Sequence, residues 1–242
     1  GADIMFLGPD GLRTLSATDR IGDFGIDVAS KNIRPTVTKL QDYAASFSSI
    51  VIRAKAQYRL FAYVAGERDN VAKGVLGTKF IDQGGQGFQW SELKGFKVHI
   101  ADSQFIGEDE YRVFANNDGY VYNLDVGTSR DGEAIDAIYE SPYMPINDPQ
   151  MRKSFYKLDM YIKPFGAINI NAGIKFNQGR SGYGENTSVY NVVSYGAPRT
   201  QNYSNQVVGS GETVAIRIED KSSDAAFLLD TAVFEYATED RQ

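Results

Sequence analysis

YRLFAYV, Tyr58 to Val64, returns as YRVFANN, Tyr111 to Asn117, and the second copy runs on into DGYVYNLD. Both copies mix aromatic, aliphatic and β-branched residues with no helical period, so both read as strands. A strand written twice points to a repeated supersecondary unit, because one small sheet cannot bury its faces until a neighbour stacks on it.

The surroundings of the copies support a repeat. MFLGPDGLRTL (Met5 to Leu15) and VFANNDGYVYNL (Val113 to Leu124) each place a Phe four residues before an Asp-Gly. Asp-Gly supplies positive φ at a tight turn without steric cost, so Asp10-Gly11 and Asp118-Gly119 are expected hairpin corners. Further strand-like segments follow at IGDFGIDVAS (Ile21 to Ser30), GFQWSELKGFKVHIA (Gly87 to Ala101) and EAIDAIYESPYM (Glu133 to Met144). A unit of roughly 40 to 50 residues with three or four short strands is the pattern of a propeller blade. Three such units are visible, and the copied strand is expected to present Phe61 or Phe114 to the blade beside it. The ring is either incomplete or closed by divergent segments such as residues 31 to 56.

The repeat stops at SPYMPINDPQMR (Ser141 to Arg152), where three prolines crowd a short span. The expected domains are therefore 1–148, propeller-like, and 149–242, an antiparallel β-sandwich. In the second, Tyr156, Leu158, Met160 and Ile162 alternate with Lys157, Asp159, Tyr161 and Lys163. After a turn at Pro164 to Gly166, Ile168, Ile170, Ala172, Ile174 and Phe176 alternate with polar or small residues. Period two of this length predicts half-buried strands. Val214, Ile216 and Ile218, then Ala232, Phe234 and Tyr236, continue it. Between these pairs, Asn177 to Asn205 is rich in Gly, Ser, Asn and Tyr and reads either as a long exposed loop or as a plain connection with a short edge strand at Val189 to Tyr195. Its tyrosines Tyr183, Tyr190, Tyr195 and Tyr203 form a candidate recognition set, since Tyr offers contact area at little entropic cost.

Composition agrees with an all-β chain: 24 glycines, 15 tyrosines and 14 phenylalanines among 242 residues, with 42% hydrophobic residues to build cores. The net charge of -6 offers no overall positive surface to hold nucleic acid through its phosphates. Cysteine is absent, which removes disulfides, thiolate nucleophiles and Cys-type zinc sites. No run approaches the length of about eighteen apolar residues needed for a membrane helix, so no membrane anchor is expected and the chain is expected to be soluble when expressed alone. The start, GADIMFLGPDG, opens on Gly1 without an initiator methionine and has no signal-peptide pattern, and natural sequence upstream of it is expected.

The residues do not converge on a reaction. His99, the single histidine, sits in FKVHIAD on a predicted strand with no second His to share a metal. Glu108, Asp109 and Glu110 read as a solvated turn. SRDGEAI (Ser129 to Ile135) shares Asp-Gly with the Asp-box of sialidase propellers but lacks its spaced Gly and Trp. FANNDGYVYNLD and YESPYMPINDP lack a calcium-loop register, and GTKFIDQGGQGF (Gly77 to Phe88) has no phosphate-cradle ending. Trp90 reads as an aromatic anchor. No enzyme, catalytic residue, cofactor or metal is expected.

In the order of its segments the chain resembles the C-terminal part of the tail nozzle protein of short-tailed bacteriophages, the tail tubular protein B type. DIMFLGPDGLRTLSATDRIGD, SSIVIRAKAQYRLFAY, GVLGTKF with GFQWSELKGFKV, DGYVYNLDVGTSRDGEAI and DPQMRKSFYKLDMYI carry the resemblance to about residue 163, and VAIRIEDKSSDAAFLLDTAVFEYATEDRQ resembles the closing strands. The resemblance implies propeller and sandwich modules, a homo-oligomeric ring of six subunits in the virion, and tail adaptor and fibre proteins as partners. It also implies a lumen that DNA crosses during ejection without being specifically bound. Family members are longer and carry more blades. Two other readings stand beside this one: a carbohydrate- or receptor-binding module at the tail tip, and a glycosidase.

Overall fold

The computed structural model describes residues 4–15, 28–65, 72–82, 85–95, 97–177, 185–192 and 199–238. Among these, antiparallel strands dominate and form five sheets, none of them closed. The chain divides into two compact units, Gly1–Val126 and Gly127–Gln242.

In the first unit, β1 (Met5–Gly8) and β2 (Gly11–Thr14) form a hairpin in which Gly8 pairs with Gly11. The corner is therefore Pro9-Asp10, one residue earlier than Asp10-Gly11. Arg13 holds it, its guanidinium reaching the Asp10 carboxylate at 2.7 Å. Gly11 is still required: its φ is +137°, and a Cβ there would meet the Ser30 hydroxyl. Residues 31–56, expected as a divergent blade, instead open with a 3-10 turn and helix α1 (Arg34–Tyr43), followed by β3 (Ala44–Ile52). Pro35 in the first helical turn and the buried pair Val37 and Leu40, three apart, explain the helix.

β3 joins β4 (Gln57–Val64), β5 (Gly74–Asp82) and β6 (Gly85–Leu93) in a four-stranded sheet, in chain order. A second sheet holds β7 (Ile100–Ile106), β8 (Asp109–Ala115) and β9 (Val121–Asn123). The copied stretch YRLFAYV is β4, which is covered on both faces. Tyr58, Leu60, Ala62 and Val64 join Leu12, Val37 and Leu40 in one cluster. Phe61 points the other way, into a cluster with Ile50, Ile52, Val98, Ala101 and Leu124 against which Phe114 packs. A strand buried on both sides needs apolar residues at odd and even positions alike, which is why no clean alternation marks it.

Both Phe61 and Phe114 thus enter the same cluster, and the two copies of the strand meet face to face. The expectation was that each copy would present Phe61 or Phe114 to the blade beside it; both pack into the one cluster, and none of the five sheets among the described residues is closed. The third outer segment also differs, since β10 (Ala137–Glu140) pairs with β15 (Val214–Asp220) of the second unit. The division of the chain accordingly falls ahead of the proline-rich span, and residues 127–148 lie in the second unit. A four-residue strand carries no local mark of the sheet it joins, because its partner is set by long-range pairing.

The second unit places β11 (Lys153–Pro164) between β14 (Gln201–Gly211) and β16 (Phe227–Thr238) in one sheet. The other sheet runs β10, β15, β12 (Ile168–Phe176), β13 (Glu185–Val192). One core lies between them, built from Leu158, Met160, Ile162, the inward apolar residues Ile168, Ile170, Ala172, Ile174 and Phe176, and Val214, Ile216 and Ile218. Tyr156 departs from the predicted face: a bulge between Phe155 and Lys157 buries Phe155 and turns Tyr156 outward. Lys153 is buried, and its ammonium donates to the carbonyl oxygens of Asp148 and Glu212. The segment Asn177 to Asn205 contains β13, an edge strand of its sheet that overlaps the one expected at Val189 to Tyr195 but starts earlier, and the start of β14.

Candidate functional site

Among the described residues of the first unit a dense charge cluster is centred on Asp125, which follows β9 at a φ of +60°. Lys55 reaches its carboxylate at 2.7 Å, Arg59 makes two bonds of 2.8 and 2.7 Å, and Arg112 stands at 3.6 Å. Arg59 comes from β4 and Arg112 from β8, at the same position of the two copies of the repeated strand. Next to them, the Glu110 carboxylate accepts the backbone N–H groups of Arg53 and Ala54 at 2.8 and 3.0 Å. These contacts fasten β8 and the end of β9 onto the β3–β4 connection. A hollow of about 280 Å³ lies beside them, lined by Glu110, Tyr111, Arg112, Asn123 and Val126 among others.

The electrostatics here favour holding over proton transfer. Burial pushes Asp125 and Glu110 upward, but the cations on Asp125 and the N–H groups on Glu110 outweigh it, and both carboxyls end below their ordinary values. Elsewhere, Arg13 lowers Asp10, the Tyr120 N–H lowers Asp118, Lys175 lowers Glu140, Lys157 lowers Asp159 and Lys221 lowers Glu219. Glycoside hydrolysis asks for a carboxyl pushed the other way, protonated near neutrality beside an ionised partner. Glu110 corrects the reading of residues 108–110 as a solvated turn: it is a half-buried fastener.

His99 stacks on Tyr63 with ring centroids 3.8 Å apart. Among the described residues no group of three or more His, Cys, Asp or Glu is placed to hold a metal ion, and no helix is long and apolar enough to cross a membrane. Trp90 donates from Nε1 to the Ala29 carbonyl at 2.9 Å and packs against the cluster around Leu60, an anchor within the first unit.

Of the candidate recognition tyrosines, Tyr183 and Tyr195 lie outside the described residues. Tyr190 belongs to β13, paired with Ile170, and Tyr203 belongs to β14, where it packs against the core of the second unit. Burial raises the Tyr203 hydroxyl pKa.

A second surface was not anticipated. The ladder places Ile100, Ala115 and Val121 in one row, Asp102, Val113 and Asn123 in the next, and Gln104 with Tyr111 in a third, all on the face of the β7–β8–β9 sheet turned away from β4. Ile100 is 63% exposed, Val121 73% and Ile106 64%. The signal for the Asp125 cluster was available in the repeat, because Arg follows Tyr in both copies. No sequence signal separates the covered Tyr58, 7% exposed, from Tyr111, 52% exposed.

No protein-family model matches the chain, and no curated protein matches it.

Proposed function

We propose that this chain is a structural protein that works by self-association, of the tail-nozzle type of short-tailed bacteriophages: a virion component, docked to adaptor and fibre proteins, through which DNA passes without being specifically bound. One observation carries the reading. The same strand motif has both faces covered at β4, while at β8 the corresponding outward face, with Ile100, Ile106, Tyr111 and Val121, is open to solvent. Exposed apolar side chains gathered on one sheet face, here interleaved with Asp102, Gln104 and Asn123, are the feature we read as an association site. The facing sheets of the first unit are then part of a larger, propeller-like stack completed by other copies, and the second unit is a β-sandwich module. The overall charge of -6 suits a conduit that repels phosphate. Light scattering over a range of protein concentrations tests the reading: mass that rises with concentration is expected, and a monomer at every concentration counts against it.

A second reading, carbohydrate recognition, is favoured by a different observation. Tyr156 and Tyr161 are exposed along β11, and Asn202 and Ser204 stand beside it on β14. Glycan-array binding that Tyr161→Ala abolishes would support it.

A further inference from the structure

The outward face of the β14–β11–β16 sheet holds a carboxylate with one oxygen that the chain does not pair. Asp159 stands there between Lys157 and Tyr161 of its own strand, opposite Ser204 on β14 and Val233 on β16. It is only 7% exposed, and its Oδ1 is buried and accepts no hydrogen bond from any described residue. Its Oδ2 takes the Lys157 ammonium at 2.8 Å, and the same ammonium reaches Glu235 at 3.1 Å. Lys157, with Ser204 and Asn202 beside it, holds the Asp159 carboxyl below its ordinary value, so the group is an acceptor at neutral pH. A buried acceptor without a donor costs free energy that a fitting donor restores.

The neighbours of Asp159 narrow what that donor is. Tyr161 is 38% exposed and lies one row along the face, opposite Asn202 on β14 and Thr231 on β16. An aromatic ring, a carboxylate, an amide and a hydroxyl therefore share one patch. A molecule with one apolar C–H face and an edge of hydroxyl groups matches it: the ring covers the apolar face, and the hydroxyls donate to the carboxylate and exchange bonds with Ser204 and Asn202. Charge narrows it further. Outside the core, β11 and β16 carry Asp159, Asp230 and Glu235 against Lys157 and Lys163, and β14 carries no charge, so an acidic sugar would meet an excess of its own sign.

We infer that Asp159 anchors a binding site for a neutral pyranose, which stacks on Tyr161 and donates two adjacent hydroxyl groups to the carboxylate. The inference rests on the carbohydrate reading above and names both the sugar class and the residue that fixes it; it is independent of association through the first unit. Lys157 gives the ligand access, because it keeps Glu235 as a partner when it leaves Asp159. Strand rise and spacing set Tyr161 about 7 Å from Asp159 along β11 and Ser204 about 5 Å across from it, a patch for one sugar ring. So small a contact on a flat face holds a single sugar with a Kd on the order of 1 mM, which multivalent display raises into a detectable range.

An array displaying neutral hexosides of gluco, galacto and manno configuration, their monodeoxy analogues, and uronic and sialic acids tests the inference. The wild type is expected to retain at least one neutral hexoside, and to bind the analogue lacking one of the two adjacent hydroxyls about tenfold more weakly or worse. Asp159→Asn, which keeps the shape of the side chain, should weaken binding by about tenfold or more. Ser204→Ala, a change at an exposed position, should weaken it several-fold with the unfolding midpoint of the wild type, which separates lost binding from misfolding. If Tyr161→Ala abolishes binding while Asp159→Asn and Ser204→Ala bind as the wild type does, or if only the acidic sugars are retained, this inference fails and the carbohydrate reading stands. If no sugar on the array is retained, both fail.

Discussion

Arg59 sets both terminal nitrogens of its guanidinium on the Asp125 carboxylate, at 2.8 and 2.7 Å, while itself only 5% exposed. Bidentate pairing of this kind is the strong form of an ion pair. Removing one partner of a buried pair costs about 3–5 kcal/mol, and the 19% exposure of the Asp125 side chain discounts this to about 2–3 kcal/mol. Asp125→Asn is therefore expected to destabilise the first unit by that amount in urea unfolding. Arg112→Met, at 3.6 Å and 20% exposed, should cost less than about 1 kcal/mol.

The same carboxylate sets a pH dependence. Its folded pKa lies below the ordinary value of 3.8, so its stabilisation is fully present above that value and is lost as pH falls through the lower folded one. The difference in unfolding midpoint between wild type and Asp125→Asn should be constant from neutrality to about pH 5 and shrink on further acidification, about one unit above the reference value being where protonation of the unfolded chain begins. A difference that grows in acid would contradict the assignment.

Equivalent positions of the repeat should respond unequally. Tyr58→Ala opens a cavity against Leu12, Val37 and Leu40 and is expected to cost about 3–5 kcal/mol. Tyr111→Ala on the open face should stay within about 0.5 kcal/mol in dilute protein. Paired chemical denaturation curves measure both, and comparable losses would mean that β8 is covered within the single chain.

Gly77 lies under Trp90, where an added Cβ would stand 2.6 Å from the indole. Gly77→Ala is expected to cost about 1–3 kcal/mol by overpacking and to displace the indole from the Ala29 carbonyl. Trp90 is the only tryptophan, so its fluorescence reports the shift directly.

Local rules carried far in the second unit, where one face of each strand meets the core and the other meets water. Leu158, Met160 and Ile162, with Ile168 to Phe176, stand where their alternation put them, while the register shifts at Tyr156 and between Tyr161 and Ile162 escaped, because an extra residue in a ladder depends on the partner strand. In the first unit the rules carried less far. The repeat was legible as two copies of one strand, and so were the glycines that its turns need. Its site was half legible, since the paired arginines were visible and the aspartate that joins them was not.

The sequence by itself determined that this is an antiparallel β chain, acidic and without cysteine, with one strand written twice, because period, turn chemistry and charge are properties of neighbouring residues. Only the tertiary structure decided that the two copies face each other, that their arginines share Asp125, that β10 belongs to the second unit, and that Tyr58 is covered where Tyr111 is open. Those outcomes depend on which surfaces, distant along the chain, exclude water together, and burial of that kind is written in no single segment.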